Sequence, residues 1–197
     1  MAAFASRAIE RGNRRYANAV MRAPVLEKEH EFELARRWRE DKDEAALHEL
    51  IEAYARFVLR IAWKFKGYGL PVGDLVQEGN IGLMEAAQRF DPSHDARFST
   101  YASWWIMAEI QDHILRNTSI VRVATTPAQR RLFFNLRKVR ARLATGPDGS
   151  LTDEDRERVA DRLQVKPADV VRMEAHLGGP DNSLNASFGE EDDLEFQ

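Results

Sequence analysis

The residues best suited to chemistry in this chain are Phe98-Ser-Thr-Tyr-Ala-Ser-Trp-Trp-Ile106, with Phe90 just upstream. On a helix, Phe98, Tyr101 and Trp105 fall at i, i+3 and i+7 and build one aromatic face, while Trp104 projects about 100° away from it. One reading is a core helix rich in aromatics. The other takes account of Arg97, Ser99, Thr100 and Ser103 among the rings. Aromatics between hydroxyls and cations form a platform for unstacked bases, or hold a base turned out of a duplex while hydroxyls read its edge. Catalysis finds little support. His30, His48, His94, His113 and His176 show no metal-ligand spacing. Phosphate-loop glycines and a nucleophile-elbow serine are missing, and Glu78 and Glu85, seven apart on one helix face, suit a solvated stripe better than a catalytic dyad. With no cysteine, disulfides, thiolate metal sites and thiol chemistry are excluded. No cofactor is expected; the chemistry is binding.

Two further segments point the same way. Asp74-Leu-Val-Gln-Glu-Gly-Asn-Ile-Gly-Leu83 carries Gly79 and Gly82 inside a helix, where each costs about 1 kcal/mol relative to alanine. A helix bears that where another backbone approaches closely. Asp74, Gln77, Glu78 and Asn80 form a polar outer strip, either a solvated face or a docking surface for a partner helix. The segment Gln129–Arg142 has six basic and no acidic residues, with Leu132, Phe133, Leu136 and Val139 on its apolar side. Basic amphipathic helices bind nucleic acid, acidic proteins or membrane surfaces; next to an aromatic platform, nucleic acid is the economical choice.

The elements that must position these residues are helical throughout. Of the 197 residues, 44% are hydrophobic and 31% charged, with a net charge of −3; the apolar share suffices for a packed core. The near-neutral total conceals blocks of opposite sign: +4 over residues 1–24, −5 over 25–95, +7 over 96–145 and −9 over 146–197. Apolar residues recur three or four apart in helices expected at Glu27–Arg39, from an Asp43 N-cap to Phe65, and from Asp74 to Phe90. A fourth is expected from a Ser99 N-cap to Asn117, and a fifth from Thr126-Pro127 to Leu143. Two short helices follow, capped by Thr152 and opened by Lys166-Pro167, paired like a helix-turn-helix. An extended link at 120–124 divides one helical domain from a smaller one, and 178–197 is an acidic tail. No apolar run is long enough to span a membrane, and the arginines of the N-terminus precede no signal-like stretch, so a cytoplasmic protein without membrane partners is expected.

Asp74-x-x-Gln-Glu-Gly-x-x-Gly-Leu83, then Phe90-Asp-Pro, then Phe98-Ser-Thr-Tyr-Ala-x-Trp-Trp-Ile106, resembles the central domain of bacterial sigma factors. Gln129-Arg-Arg-Leu-Phe-Phe-Asn-Leu-Arg137, behind Ala124-Thr-Thr126, is similar to the segment marking the heat-shock subclass of the sigma-70 family. The resemblance implies an all-α fold: a basic N-terminal segment at 1–22, a core-binding and promoter-melting domain at 23–120, a small three-helix domain at 121–177, and an acidic linker at 178–197. It implies a subunit that brings core RNA polymerase to promoters and melts the −10 element. Asp74, Gln77, Glu78 and Asn80, with Arg56 from the preceding helix, would dock on a coiled coil of the largest polymerase subunit. Trp104 and Trp105 would form the wedge at the melting boundary, while Phe98, Thr100 and Tyr101 line the site for the extruded base of the single-stranded non-template strand. Arg97 and Arg122 would neutralise phosphate. Ala108 and Gln111 would meet the still-paired edge, and Thr126 and Gln129 the duplex beyond. The acidic linker would thread toward the polymerase cleft, and the heat-shock likeness makes chaperones or proteases plausible partners.

The chain departs from the family pattern in three places. His94-Asp-Ala96 stands where a glycine and a large residue are usual, and Met107 where a basic residue is common. The sequence also ends before the C-terminal domain that reads the upstream promoter element, so a short form or a fragment is expected. Two other readings compete with this one. A stand-alone helix-turn-helix regulator would read DNA through 152–177, but that stretch is acid-rich, a poor match to a phosphate lattice. A polymerase-binding decoy would bind polymerase without opening DNA.

Overall fold

The computed structural model describes residues 12, 15–94, 96–119, 124–143 and 151–177, with side chains for all of them except 137, 138 and 140–143. Regular structure among the described residues is entirely helical, in accord with the all-α expectation. The helices are α1 (Lys28–Asp41), α2 (Glu44–Lys64), α3 (Val72–Arg89), α4 (Phe98–Asn117), α5 (Pro127–Leu143), α6 (Asp153–Leu163) and α7 (Pro167–Leu177), with residues 15–21 also helical ahead of α1. They fall into two compact units, Met1–Thr118 and Ser119–Gln197. The extended link expected at 120–124 lies outside the described residues except for Ala124, and the acidic tail lies outside them entirely.

In the first unit, local chemistry sets the joints. Lys42 ends α1 in the left-handed region (φ 56°), its N–H donating to the Trp38 carbonyl at 3.1 Å. Asp43 then caps α2 as the sequence predicts, one carboxylate oxygen accepting the Ala45 and Ala46 N–H groups at 3.0 and 3.2 Å. Its other oxygen takes the Arg37 guanidinium at 2.6 Å. That guanidinium, and then the backbone donors, hold the Asp43 carboxyl below its ordinary range. After a 3₁₀ turn at Lys66–Tyr68, Gly69 (φ 84°) reverses the chain and α3 begins at Val72, two residues before the expected start.

The core of this unit is where α2, α3 and α4 meet, with Val58, Ile61, Leu75, Leu83, Ala102, Ile106 and Ile110 fully or almost fully buried. The two glycines of α3 belong to it. A Cβ on Gly82 would stand 2.7 Å from the Trp105 carbonyl oxygen, and one on Gly79 would stand 2.6 Å from Val58 Cγ1. This corrects one sequence reading. The close approach that the glycines permit is to the protein's own α4 and α2, and both glycines are buried on the inner side of α3. They say nothing of a partner helix.

In the second unit, α5 buries Leu132, Phe133 and Leu136 and leaves Arg130 and Arg131 exposed, as an amphipathic basic helix should. Thr152 caps α6 in a reciprocal box with Asp155, each side chain accepting the other residue's N–H at 3.2 Å. Gln164 in the left-handed region (φ 53°) closes α6, and α7 follows after Lys166. Arg156 ties the pair together, its Nε donating to Glu174 on α7 at 3.0 Å.

Candidate nucleic-acid interface

The N-terminus of α4 is organised from a distance. Ser99 was expected to cap this helix from Thr100 onward; instead the helix begins at Phe98, with Arg97 at the cap position and no side chain of its own segment capping it. The cap is Glu31 of α1, fully buried, whose Oε1 accepts the Phe98 N–H at 2.6 Å. A carboxylate at a helix N-terminus satisfies an orphan donor and meets the positive end of the helix dipole. The other carboxylate oxygen accepts from Arg97 Nε and Nη2 at 3.1 and 3.0 Å and from the Tyr54 hydroxyl. Four donors around one carboxylate offset much of the cost of burying its charge. Burial, then the Glu31 acceptor, pushes the Tyr54 hydroxyl up to about 12. Hydrogen bonding to Glu31 raises Arg97 above its already high ordinary value.

Arg97, the expected phosphate partner, therefore spends its guanidinium on Glu31, although its side chain remains 42% exposed. Phe98, expected to line a base site, is fully buried and offers no ring face to solvent. It sits in a ladder of rings that runs outward: Tyr54–Phe98 at 4.9 Å, Phe98–Phe90 at 5.2 Å, Phe90–Tyr101 at 5.6 Å and Tyr101–Trp105 at 6.1 Å between centroids. Tyr101 and Trp105 are half-buried at its outer end, and Thr100 is exposed beside them. The aromatic helix is thus graded along its length, with the inner rings forming core and the outer rings a surface. Trp104 stands apart at 71% exposed.

Arg89, at the end of α3, lies over the Trp105 ring at 4.7 Å and pairs with Glu85 at 3.5 Å. That places a cation on the platform which the motif did not suggest. Further along α4, Ala108 is exposed and Gln111 half-buried, beside Glu109 and Asp112. Burial, and then the charges of Glu85, Asp112 and Glu78, raise the Glu109 carboxyl. Met107 is half-buried, His94 and Ala96 are exposed, and Asp95 lies outside the described residues.

On α3, Asp74 and Gln77 are exposed, and Glu78 and Asn80 are half-buried. Ile81 and Met84 extend the outer face as exposed apolar residues, 42% and 41% accessible. Arg56 donates to the Ala23 carbonyl, which ties it to the segment leading into α1. In the second unit, Thr126 and Gln129 cap α5 together. Gln129 N–H donates to Thr126 Oγ1 at 3.2 Å, and Gln129 Oε1 accepts the Thr125 and Thr126 N–H groups at 3.1 and 3.2 Å. Arg122 lies outside the described residues. Among the described residues no cluster of histidines and carboxylates could hold a metal, and no helix is long and apolar enough to cross a membrane.

Sequence reasoning missed Glu31, Tyr54 and Arg89. The signal for Glu31 was present: it shares a helix face with Leu34, Ala35 and Trp38, so a charge occupies a position of the apolar stripe.

Residues 50–120, from the middle of α2 past the end of α4, match the Sigma-70 region 2 family. Residues 50–120 are thus similar to a sigma-70 region 2, and sigma factors resemble this chain over most of its length. The chain is similar to RNA polymerase sigma factor RpoH of Caulobacter vibrioides, 42% identical over 186 residues that cover 94% of this chain and 63% of that protein. RpoH of Rhizobium radiobacter is 45% identical over 177 residues, covering 90% of this chain and 59% of its own length. RNA polymerase sigma-C factor of Myxococcus xanthus is 44% identical over 178 residues, 90% of this chain and 60% of its own. The chain spans about three fifths of the length of these relatives.

Proposed function

We propose that this chain is a promoter-recognition subunit of the heat-shock type. It docks on core RNA polymerase through the outer face of α3 and opens the −10 promoter element with the aromatic end of α4, without catalysing a reaction itself. The observation that carries the reading is Trp104, a tryptophan left 71% exposed on a helix whose other aromatic residues are buried or half-buried. No packing need accounts for it, and aromatics open to solvent are what base stacking uses. Trp104, Trp105, Tyr101 and Thr100 act as wedge and base site; Phe98 acts by supporting Tyr101 through Phe90. Arg97 contributes to phosphate binding with the exposed part of its guanidinium, and Arg122, Ala108, Gln111, Thr126 and Gln129 serve the duplex. Asp74, Gln77, Glu78 and Asn80, with Ile81 and Met84, meet polymerase, and Arg56 fixes the approach to α1. Residues 178–197 enter the polymerase cleft, and chaperones or proteases that control the protein's level are further partners.

The test mixes the chain with core polymerase and a duplex bearing a C-rich heat-shock-type promoter, with 2-aminopurine in the −10 element to report unpairing. Opening that requires both chain and polymerase supports the proposal. Binding to DNA without polymerase would favour a stand-alone regulator, and binding to polymerase without opening DNA would favour a decoy.

A further inference from the structure

Two side chains of the docking strip are held by residues outside it. The Tyr16 hydroxyl, from the helical stretch ahead of α1, donates to Asn80 Oδ1 at 3.0 Å. His113, near the end of α4, puts its Nδ1 3.1 Å from Glu78 Oε1, with the two side chains 20% and 31% exposed. Both contacts are partly shielded from water; Tyr16 is buried enough that desolvation pushes its hydroxyl above the ordinary tyrosine value. Shielded hydrogen bonds hold a side chain better than exposed ones do.

Asn80 and Glu78 sit on a surface helix, where long polar side chains sample several rotamers and lose that freedom when a partner binds. Glu78 is one of the acidic neighbours of Glu109 on α4, and repulsion between these two like charges pushes the Glu78 carboxylate away from the α4 side. His113 supplies a donor against that repulsion. With Oδ1 of Asn80 engaged by Tyr16, the amide NH₂ is left to donate outward; with Oε1 of Glu78 engaged by His113, Oε2 is left to accept.

We propose that Tyr16 and His113 are positioning residues for polymerase docking: they pre-set Asn80 as a donor and Glu78 as an acceptor on the outer face of α3. The inference rests on the docking role proposed above for that face. It also gives part of the basic N-terminal segment a task, since Tyr16 lies within it. Preorganisation acts on affinity by removing the ordering cost of each side chain at the moment of binding, about two- to tenfold per residue.

The experiment measures affinity of the full chain for core polymerase in a competition assay. Tyr16→Phe deletes one hydroxyl without changing shape, and His113→Ala deletes the donor, while His113→Asn restores a donor near the Nδ1 position. Each of the first two should weaken binding about two- to tenfold, and His113→Asn should recover most of the loss. In an Asn80→Ala background Tyr16→Phe should have no further effect, and in a Glu78→Ala background His113→Ala should have none. The inference is overturned if Tyr16→Phe and His113→Ala bind like the parent, or weaken binding as much in the alanine backgrounds as in the parent. Asp74→Ala separates the two levels, because Asp74 docks without either residue. If Asp74→Ala leaves affinity unchanged, or the parent chain does not bind polymerase, the docking reading itself fails and takes the inference with it.

Discussion

Replacing Glu31 by glutamine tests the arrangement at the head of α4 most sharply. Glutamine keeps the shape and one oxygen but removes the charge and turns one acceptor into a donor. In the parent, Oε1 takes the Phe98 N–H and Oε2 takes Arg97 twice and Tyr54 once. With the amide oxygen kept on Phe98, the NH₂ group faces Arg97, a donor that cannot accept. Hydrogen bonds to charged groups contribute about 1.5–3 kcal/mol each and neutral ones about 1 kcal/mol. Arg97 is 42% exposed and can return to water, so its part is discounted. Tyr54 can turn and accept from the new NH₂, which recovers its bond. The remaining loss is about 2–3 kcal/mol, dominated by Arg97 and the weakened cap. For a unit of this size that lowers the melting temperature by roughly 6–15 °C. Differential scanning calorimetry reads this directly, with Glu33→Gln on the exposed side of the same helix as the control. A drop under about 2 °C, or one no larger than that of Glu33→Gln, would refute the idea that Glu31 organises this helix start.

The Tyr54 hydroxyl is pushed up to about 12 in the fold, above the unfolded value near 10. Its contribution to stability is therefore full below pH 10 and lost as the pH rises toward 12; the urea midpoint should fall less steeply over that window in Tyr54→Phe, and equal slopes would exclude the effect. Trp104→Ala should reduce strand opening by about tenfold while leaving polymerase affinity intact, and loss of affinity instead would make Trp104 a packing residue. Gly82→Ala should destabilise the first unit by about 1–2 kcal/mol by urea melts, because the new methyl meets the Trp105 backbone; a neutral result would mean α3 can slide. Thr152→Ala should cost about 1 kcal/mol through loss of the α6 capping box, readable as a lower unfolding midpoint for the second unit.

The helices were legible because their signals are local. Asp43, Thr126-Pro127 and Thr152 sit where the sequence puts the starts of α2, α5 and α6, since a cap acts within three residues of itself. The start of α4 was not legible for the opposite reason. Its cap, Glu31, lies 67 residues away in the chain, and Ser99 is a good local candidate that tertiary structure overrode. The glycines were legible as sites of close approach but not as to what approaches, because Gly79 and Gly82 look alike whether α4 or another protein fills the space. The aromatic segment was read as a unit, yet the fold grades it. Phe98 is fully buried, Tyr101 and Trp105 are half-buried, and Trp104 is exposed. Period-3.6 reasoning finds the face and not the depth, which depends on what α1 and α2 bring against it.

Where α3 meets α4, backbone rests on backbone at Gly82, with no side chain between to absorb a change. Position 82 consequently admits a single residue type, whereas positions 81 and 84, on the opposite side of the same helix, are open to variation. A lineage can therefore vary the outer face of α3 by drift at those exposed positions. The seat of Trp105 stays fixed throughout, because the residue that sets it is locked by geometry alone. On the docking role proposed for α3, partner choice can in this way diversify while the seat of Trp105 does not.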